Sequence, residues 1–196
     1  MMAIAMHAPS APAPSREIDR ATLTRCKGGD PLAFRAFVAR YERAVFALLS
    51  RIVGPGAHVE DLAQETFLRA YRAIPGFDLD GPARPSTWLL TIATRLALDA
   101  RKKKTHETRQ LDEAAIVADG STPETERNRI QLGRAIANAA NELPDDQRAA
   151  FVLAEFHDMS IAEIASALEI PENTAKTRLF RAREKLRAAL EGWRES

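Results

Sequence analysis

The chain has 196 residues, 45% of them apolar and 28% charged, which is enough for one or two domains with a real core; it argues against a large multidomain enzyme, wholesale disorder or a fibrous protein. No apolar run reaches the ~18 residues of a membrane span, and the Ala/Pro-rich residues 1–15 place no charge ahead of an apolar stretch, so neither membrane insertion nor a secretory signal is expected and the cytoplasm is the expected location. A formal net charge of +1 leaves no whole-molecule attraction to nucleic acid, so any such contact must come from local basic faces. The single Cys26 excludes an internal disulfide and a cysteine metal cluster.

Behind residues 1–15, expected to be a disordered tail, Asp30-Pro31 supplies an N-cap and a proline suited to the first helical position. Phe34, Phe37, Val38, Tyr41, Val45, Leu48, Leu49 and Ile52 then recur at helical spacing until Gly54-Pro55-Gly56 stops the run. A second helix is expected over about residues 59–74, burying Ala63, Phe67, Ala70, Tyr71 and Ile74. A third, over about 86–104, buries Leu89, Ile92, Ala93, Leu96 and Ala100.

Charge then switches sign. Residues 95–104 hold five basic side chains against Asp99, whereas residues 105–127 hold six acidic ones against Arg109 and Arg127 and lack an apolar repeat. Residues 105–127 therefore read as a flexible acidic linker. The fold class expected is all-α: two small helical domains, residues 16–104 and 128–196, joined by that linker.

In the second domain Leu132, Ile136, Ala139 and Leu143 keep helical spacing up to Pro144, and a further helix is expected over about 146–156. Ser160-Ile161-Ala162-Glu163 is a capping box, opening a short helix that ends near Leu168. A turn at Glu169-Ile170-Pro171 leads into a longer helix from about residue 172 to 189, which completes a helix-turn-helix. Its apolar side is Ala175, Leu179, Ala182, Leu186 and Leu190; the opposite side presents Asn173, Lys176, Thr177, Phe180, Arg181 and Glu184. Residues 174–194 carry seven basic and two acidic side chains, whereas residues 138–173 carry eight acidic ones and only Arg148. Cap, turn, face and charge segregation agree on a helix that enters a DNA major groove, with Lys176, Thr177 and Arg181 reaching bases and phosphates and Phe180 reaching a thymine methyl or sugar. The plainer alternative is a solvated basic helix end.

Two further constellations are weaker by themselves. Asp61, Gln64, Glu65, Leu68 and Arg72 share one face of the second helix, which suits a protein partner but standing alone reads as a solvated surface. Trp88 with the basic run Arg101 to Lys104 suits unstacked bases, although Trp88 alone reads as a core residue and the run as a complement to the helix dipole.

Taken together these stretches resemble a known family. Val59-Glu60-Asp61-Leu62-Ala63-Gln64-Glu65-Thr66-Phe67-Leu68-Arg69-Ala70-Tyr71 is similar to the polymerase-binding helix of bacterial sigma factors, and Ser86-Thr87-Trp88-Leu89-Leu90-Thr91-Ile92-Ala93-Thr94-Arg95-Leu96-Ala97-Leu98-Asp99 to their promoter-melting helix. Leu143-Pro144, Met159-Ser160-Ile161-Ala162-Glu163-Ile164-Ala165 and Asn173-Thr174-Ala175-Lys176-Thr177-Arg178-Leu179-Phe180-Arg181-Ala182-Arg183 resemble the domain that reads the upstream (minus thirty-five) element. The resemblance spans about residues 30–190, and two domains alone point to the extracytoplasmic-function (ECF) group.

It implies that Asp61, Gln64, Glu65 and Leu68 meet the clamp helices of core RNA polymerase. Ser86, Thr87, Trp88, Thr91, Arg95, Arg101 and Lys102 would take single-stranded bases of the downstream (minus ten) element, with the loop from Phe77 to Pro85. Asn173, Thr174, Lys176, Thr177, Phe180 and Arg181 would contact the double-stranded upstream one. It also implies an anti-sigma factor as partner and a linker threading the polymerase channel. Thr94-Arg95 stands where the family often has Arg-Asn, which leaves the downstream base preference open. Asn173-Thr174-Ala175 replaces Gly-Thr-Val, Asn being able to hold the special backbone of that turn, and Asp158 is placed to end the preceding helix.

No metal site and no cofactor are expected. With His7, His58, His106 and His157 scattered and no nucleophile triad or phosphate loop, the chain is expected to work by binding and not by catalysis. About 23 linker residues reach roughly 25–30 Å on average, comparable to one ~34–36 Å turn of duplex. A dimeric helix-turn-helix regulator would leave the Asp61/Gln64/Glu65 face without a role, and a purely protein-binding adaptor would leave the charge segregation unexplained.

Overall fold

The computed structural model describes residues 17–107 and 138–194, and their regular structure is entirely helical. Helix α1 (Arg20–Lys27) precedes the first helix expected, its N-terminus capped by Asp19, whose carboxylate accepts the Thr22 N–H at 2.9 Å. Two turns burying only Leu23 and Cys26 are too short for periodicity to announce them. In α2 (Pro31–Val53) the expected start holds: Asp30 accepts the N–H groups of Leu32 and Ala33, and Gly54, at φ 86°, ends the helix. Phe37, Tyr41, Val45, Leu48, Leu49 and Ile52 form its buried stripe, each such side chain contributing ~1.5–3 kcal/mol by leaving water.

Helix α3 (His58–Ala73) passes into a single 3-10 turn (Ile74–Gly76) at Pro75. Its buried face is Val59, Ala63, Thr66 and Ala70, and Thr66 is accommodated because its hydroxyl donates to the Leu62 carbonyl at 2.7 Å. Tyr71, expected in the core, is exposed. Helix α4 (Pro85–Glu107) buries Leu89, Leu90, Ala93, Leu96 and Ala97 and runs three residues past the expected boundary, into the segment read as linker. The rest of that segment, with Leu132 and Ile136, lies outside the described residues.

After a helical turn at 138–141 come α5 (Asp145–His157), α6 (Ile161–Leu168) and α7 (Glu172–Arg194). Asp158 caps α5 at φ 50°, as expected. The left-handed residue of the helix-turn-helix, however, is Glu169 at φ 55°, while Asn173 sits in the first turn of α7; the chain reverses immediately after α6, before the position for which Asn was read as the adaptable residue.

The two halves share a large buried cluster, beside a smaller one of Ala139, Leu143, Ala182 and Leu186 under α7. The larger runs from Leu23 in α1 through α2, α3 and α4 to Leu153, Ile164 and Ala175, because α5 and α6 pack on α2 and α4. Arg148 pins the junction: at 2% exposure it donates to the carbonyls of Ile52, Ala140, Asn141 and Leu143. Burial, with Arg101 nearby, brings its guanidinium down to about 10, still charged at neutral pH. The same junction holds His157, whose Nε2 is sealed without a hydrogen-bond partner among the described residues; burial, aided by Arg51, brings it to about 4.

Candidate nucleic-acid interface

Three faces of this helical body carry the expected functional residues. On the outer side of α3, Asp61, Gln64, Leu68 and Arg72 are exposed and Glu65 is half-exposed, joined to Arg69 at 2.7 Å. The face is more apolar than its sequence suggested. Phe34 and Val38 of α2 and Gln64, Phe67, Leu68 and Tyr71 of α3 line an open groove of about 520 Å3, with Leu68 50% exposed and Tyr71 edge-on to Phe34 at 4.9 Å. An apolar floor with a carboxylate rim fits an amphipathic protein helix better than it fits DNA. Phe34 and Tyr71 went unread as surface because, at positions i and i+3 or i+4 from core residues, a groove wall has the same periodicity as a core.

The downstream set on α4 and the segment before it is engaged within the molecule. Trp88 is half-buried, 5.1 Å from Phe77 and 6.5 Å from Phe37, so its ring completes the aromatic core as well as reaching the surface. Ser86 donates both its N–H and its hydroxyl to Glu17, which also accepts the Tyr41 hydroxyl at 2.6 Å; burial, reinforced by that carboxylate, pushes the Tyr41 phenol up. The Thr91 hydroxyl bonds back to Thr87. Thr87, at 6% exposure, donates to Glu163 Oε1 at 2.9 Å. Arg95 reaches the C-terminal end of α6, and Arg101 pairs with Asp145 while donating to Ile52. Lys102 stays exposed beside Asp99.

The upstream set lies on α7, delivered by the helix-turn-helix. The capping box forms as read: the Ser160 hydroxyl oxygen accepts the Glu163 N–H and Glu163 accepts the Ser160 N–H, at 3.2 and 2.8 Å. Burial pushes the Glu163 carboxyl up, but hydrogen bonds from Ser160, Thr87 and Arg84 outweigh it and leave it below its ordinary value. Ala175, Leu179, Ala182 and Leu186 seat α7, and Arg178 and Arg183 fasten it to Asp146 and Glu155 of α5. That leaves Asn173, Lys176, Thr177, Phe180 and Arg181 exposed on one side, with Thr174 half-buried at its edge and Phe180 62% exposed. Thr177 spends its proton on the Asn173 carbonyl, so its oxygen is oriented as an acceptor.

The pattern of Sigma-70 region 2 matches residues 37–107, and that of Sigma-70 region 4 matches residues 133–186. The chain is 37% identical to the ECF RNA polymerase sigma factor SigW of Bacillus subtilis over 86% of its length and 94% of the relative's. It is 32% identical to the RNA polymerase sigma-H factor of Pseudomonas aeruginosa, over 90% and 96%. Among solved structures it is similar to CnrH in complex with the cytosolic domain of CnrY, at a TM-score of 0.65 and 27% identity, covering 89% of this chain and 97% of that one. The chain belongs to the ECF sigma-factor family.

Proposed function

We propose that this ECF sigma factor selects promoters by binding work divided among its three faces, acting in the cytoplasm without chemistry of its own. The chain binds core RNA polymerase, recognises both promoter elements and directs transcription initiation. The apolar groove and its rim, Asp61, Gln64, Glu65 and Leu68, take the polymerase clamp helices. Lys176, Thr177, Phe180 and Arg181, flanked by Asn173 and Thr174, read the upstream duplex. Ser86, Thr87, Trp88, Thr91, Arg95, Arg101 and Lys102, with the loop before them, hold the melted downstream strand.

The observation that carries this reading is the coexistence, in one chain, of an exposed Phe180 beside the exposed Lys176 and Arg181 on the second helix of a helix-turn-helix and an apolar, acid-rimmed groove on α3. A dimeric duplex-binding regulator has use for the first and none for the second. Each DNA contact is modest for a protein of net charge +1, and fixing both halves on polymerase raises the effective concentration of the second contact once the first has formed. Proteins of similar fold are seen in complexes, CnrH with the cytosolic domain of CnrY and the Bartonella quintana sigma factor RpoE with the anti-sigma factor NepR, and an anti-sigma factor is proposed as a partner here.

The test is run-off transcription and pull-down with purified core polymerase. Wild type should be retained and should initiate at its promoter, whereas Leu68→Asp and Gln64→Ala should lose retention by tenfold or more without losing helicity. Equal retention of all three chains would overturn the assignment of the groove.

A further inference from the structure

Helix α1 and the residues just ahead of it hold the loop that leads into α4 at three successive points. At the C-terminal end of α1 the Lys27 ammonium donates to the Phe77 carbonyl. Seven residues earlier, about 10 Å along the helix, Arg20 donates to the Leu79 carbonyl at 3.1 Å and pairs with Asp80 at 2.8 Å. Ahead of the helix, Glu17 accepts both the N–H and the hydroxyl proton of Ser86. The order is monotonic, so the loop runs back along α1, with cations taking carbonyls at one end and an anion taking donors at the other. The segment that does this is itself anchored: Leu23 and Cys26 are buried, and the Ile18 N–H donates to the Tyr41 hydroxyl at 3.1 Å. Between the fixed points Asp78, Pro82, Ala83 and Arg84 are exposed. Asp78 and Asp80 would repel a phosphate backbone, and Arg20 offsets the second of them.

We infer that Glu17, Arg20 and Lys27 are positioning residues for the downstream element: α1 is a splint that presents residues 78–84 and the start of α4 in one arrangement. It thereby sets how sharply the chain discriminates among downstream sequences without touching DNA. This inference rests on the reading of that loop and α4 as the strand-holding site. The contacts are a poor stability device, because the Arg20–Asp80 pair is exposed on both sides and such pairs contribute little to folding. Their effect falls on binding instead, since a loop already held in its bound shape pays less ordering entropy when the strand arrives. Glu17 adds a second element of fit, its carboxylate lying at the positive end of the α4 dipole and fixing the first turn from which Trp88 projects.

Arg20→Ala tests it in the full chain with core polymerase, by run-off transcription from promoters that carry each single-base substitution of the downstream element behind one fixed upstream element. The ratio of output between the best downstream sequence and its substitutions should fall at least threefold, while circular dichroism and retention on core polymerase stay as in wild type. Arg20→Lys, which keeps a cation for Asp80, should restore the ratio, and Arg43→Ala, which removes an exposed cation of α2, should leave it unchanged. A uniform loss over all sequences with the ratios kept, or equal flattening in Arg43→Ala, would overturn the splint. A second measurement reads the loop in the free chain, through Trp88 at 5.1 Å from Phe77. In a Trp193→Phe background, where Trp88 is the sole indole, Glu17→Ala/Arg20→Ala should raise acrylamide quenching at least twofold. Unchanged quenching would also overturn the splint. Raised quenching beside a wild type that shows no downstream preference would count against the proposed function and not against the splint.

Discussion

Helices α4 and α7 are each 23 residues long, each bears a set of cations, and each is assigned to DNA, yet the fold treats them oppositely. On α7, residues at positions 178 and 183 are spent on α5, and the side turned away from those anchors is left to solvent. On α4, Thr87, Arg95 and Arg101 face the second half of the chain and are consumed by it. The difference is one of location: one side of α7 is left to solvent, whereas α4 packs against α2, α3, α5 and α6 and lies beside their acceptors. A basic helix is therefore a ready ligand site only where the tertiary structure leaves it a free side.

The comparison breaks most severely at Arg148, which ties the entry of α5 to the end of α2. Arg148→Met should cost about 3–5 kcal/mol in urea unfolding, since it strips four buried carbonyls of their donor. Acid should loosen the same junction. His157 titrates at about 4 when folded against an ordinary 6.5, so between these values the unfolded chain binds a proton that the folded one refuses. Stability is then complete above pH 6.5 and falls by up to about 3 kcal/mol as pH drops toward 4. His157→Phe should flatten that part of a denaturation-against-pH series.

A smaller effect sharpens the contrast between the two helices. Arg181→Ala should weaken upstream-duplex binding of the holoenzyme by about 1–3 kcal/mol in a footprint titration while leaving the unfolding midpoint unchanged, because its side chain is exposed. Arg95→Ala should instead be felt in the free chain, as an increase in radius of gyration, because Arg95 bridges the halves. Least of all, Ser160→Ala should cost about 1 kcal/mol through the lost cap.

Much of this was legible in the residues. Asp30-Pro31, Gly54 and the Ser160/Glu163 box mark helix ends by local hydrogen bonding, which needs no distant partner. The α7 face was legible because its two sides differ in chemistry as well as in spacing. The groove was not, since Phe34 and Tyr71 keep the periodicity of buried residues, and whether an aromatic at such a position is covered depends on what lies opposite. Arg148 stood out as the lone base in an acidic stretch, but the carbonyls that hold it come from two places in the chain, Ile52 being 96 residues away.

Helix positions, caps, the amphipathic faces and the segregation of charge follow from the amino-acid order alone, because they rest on interactions within a few residues. The pairing of Glu163 with Arg84 and Thr87, and of Arg95 with the end of α6, was decided only when α6 came to rest on α4, 76 residues separating Thr87 from Glu163. Contacts of that span depend on which apolar faces pack together, and the charge pattern along the chain is compatible with several such packings.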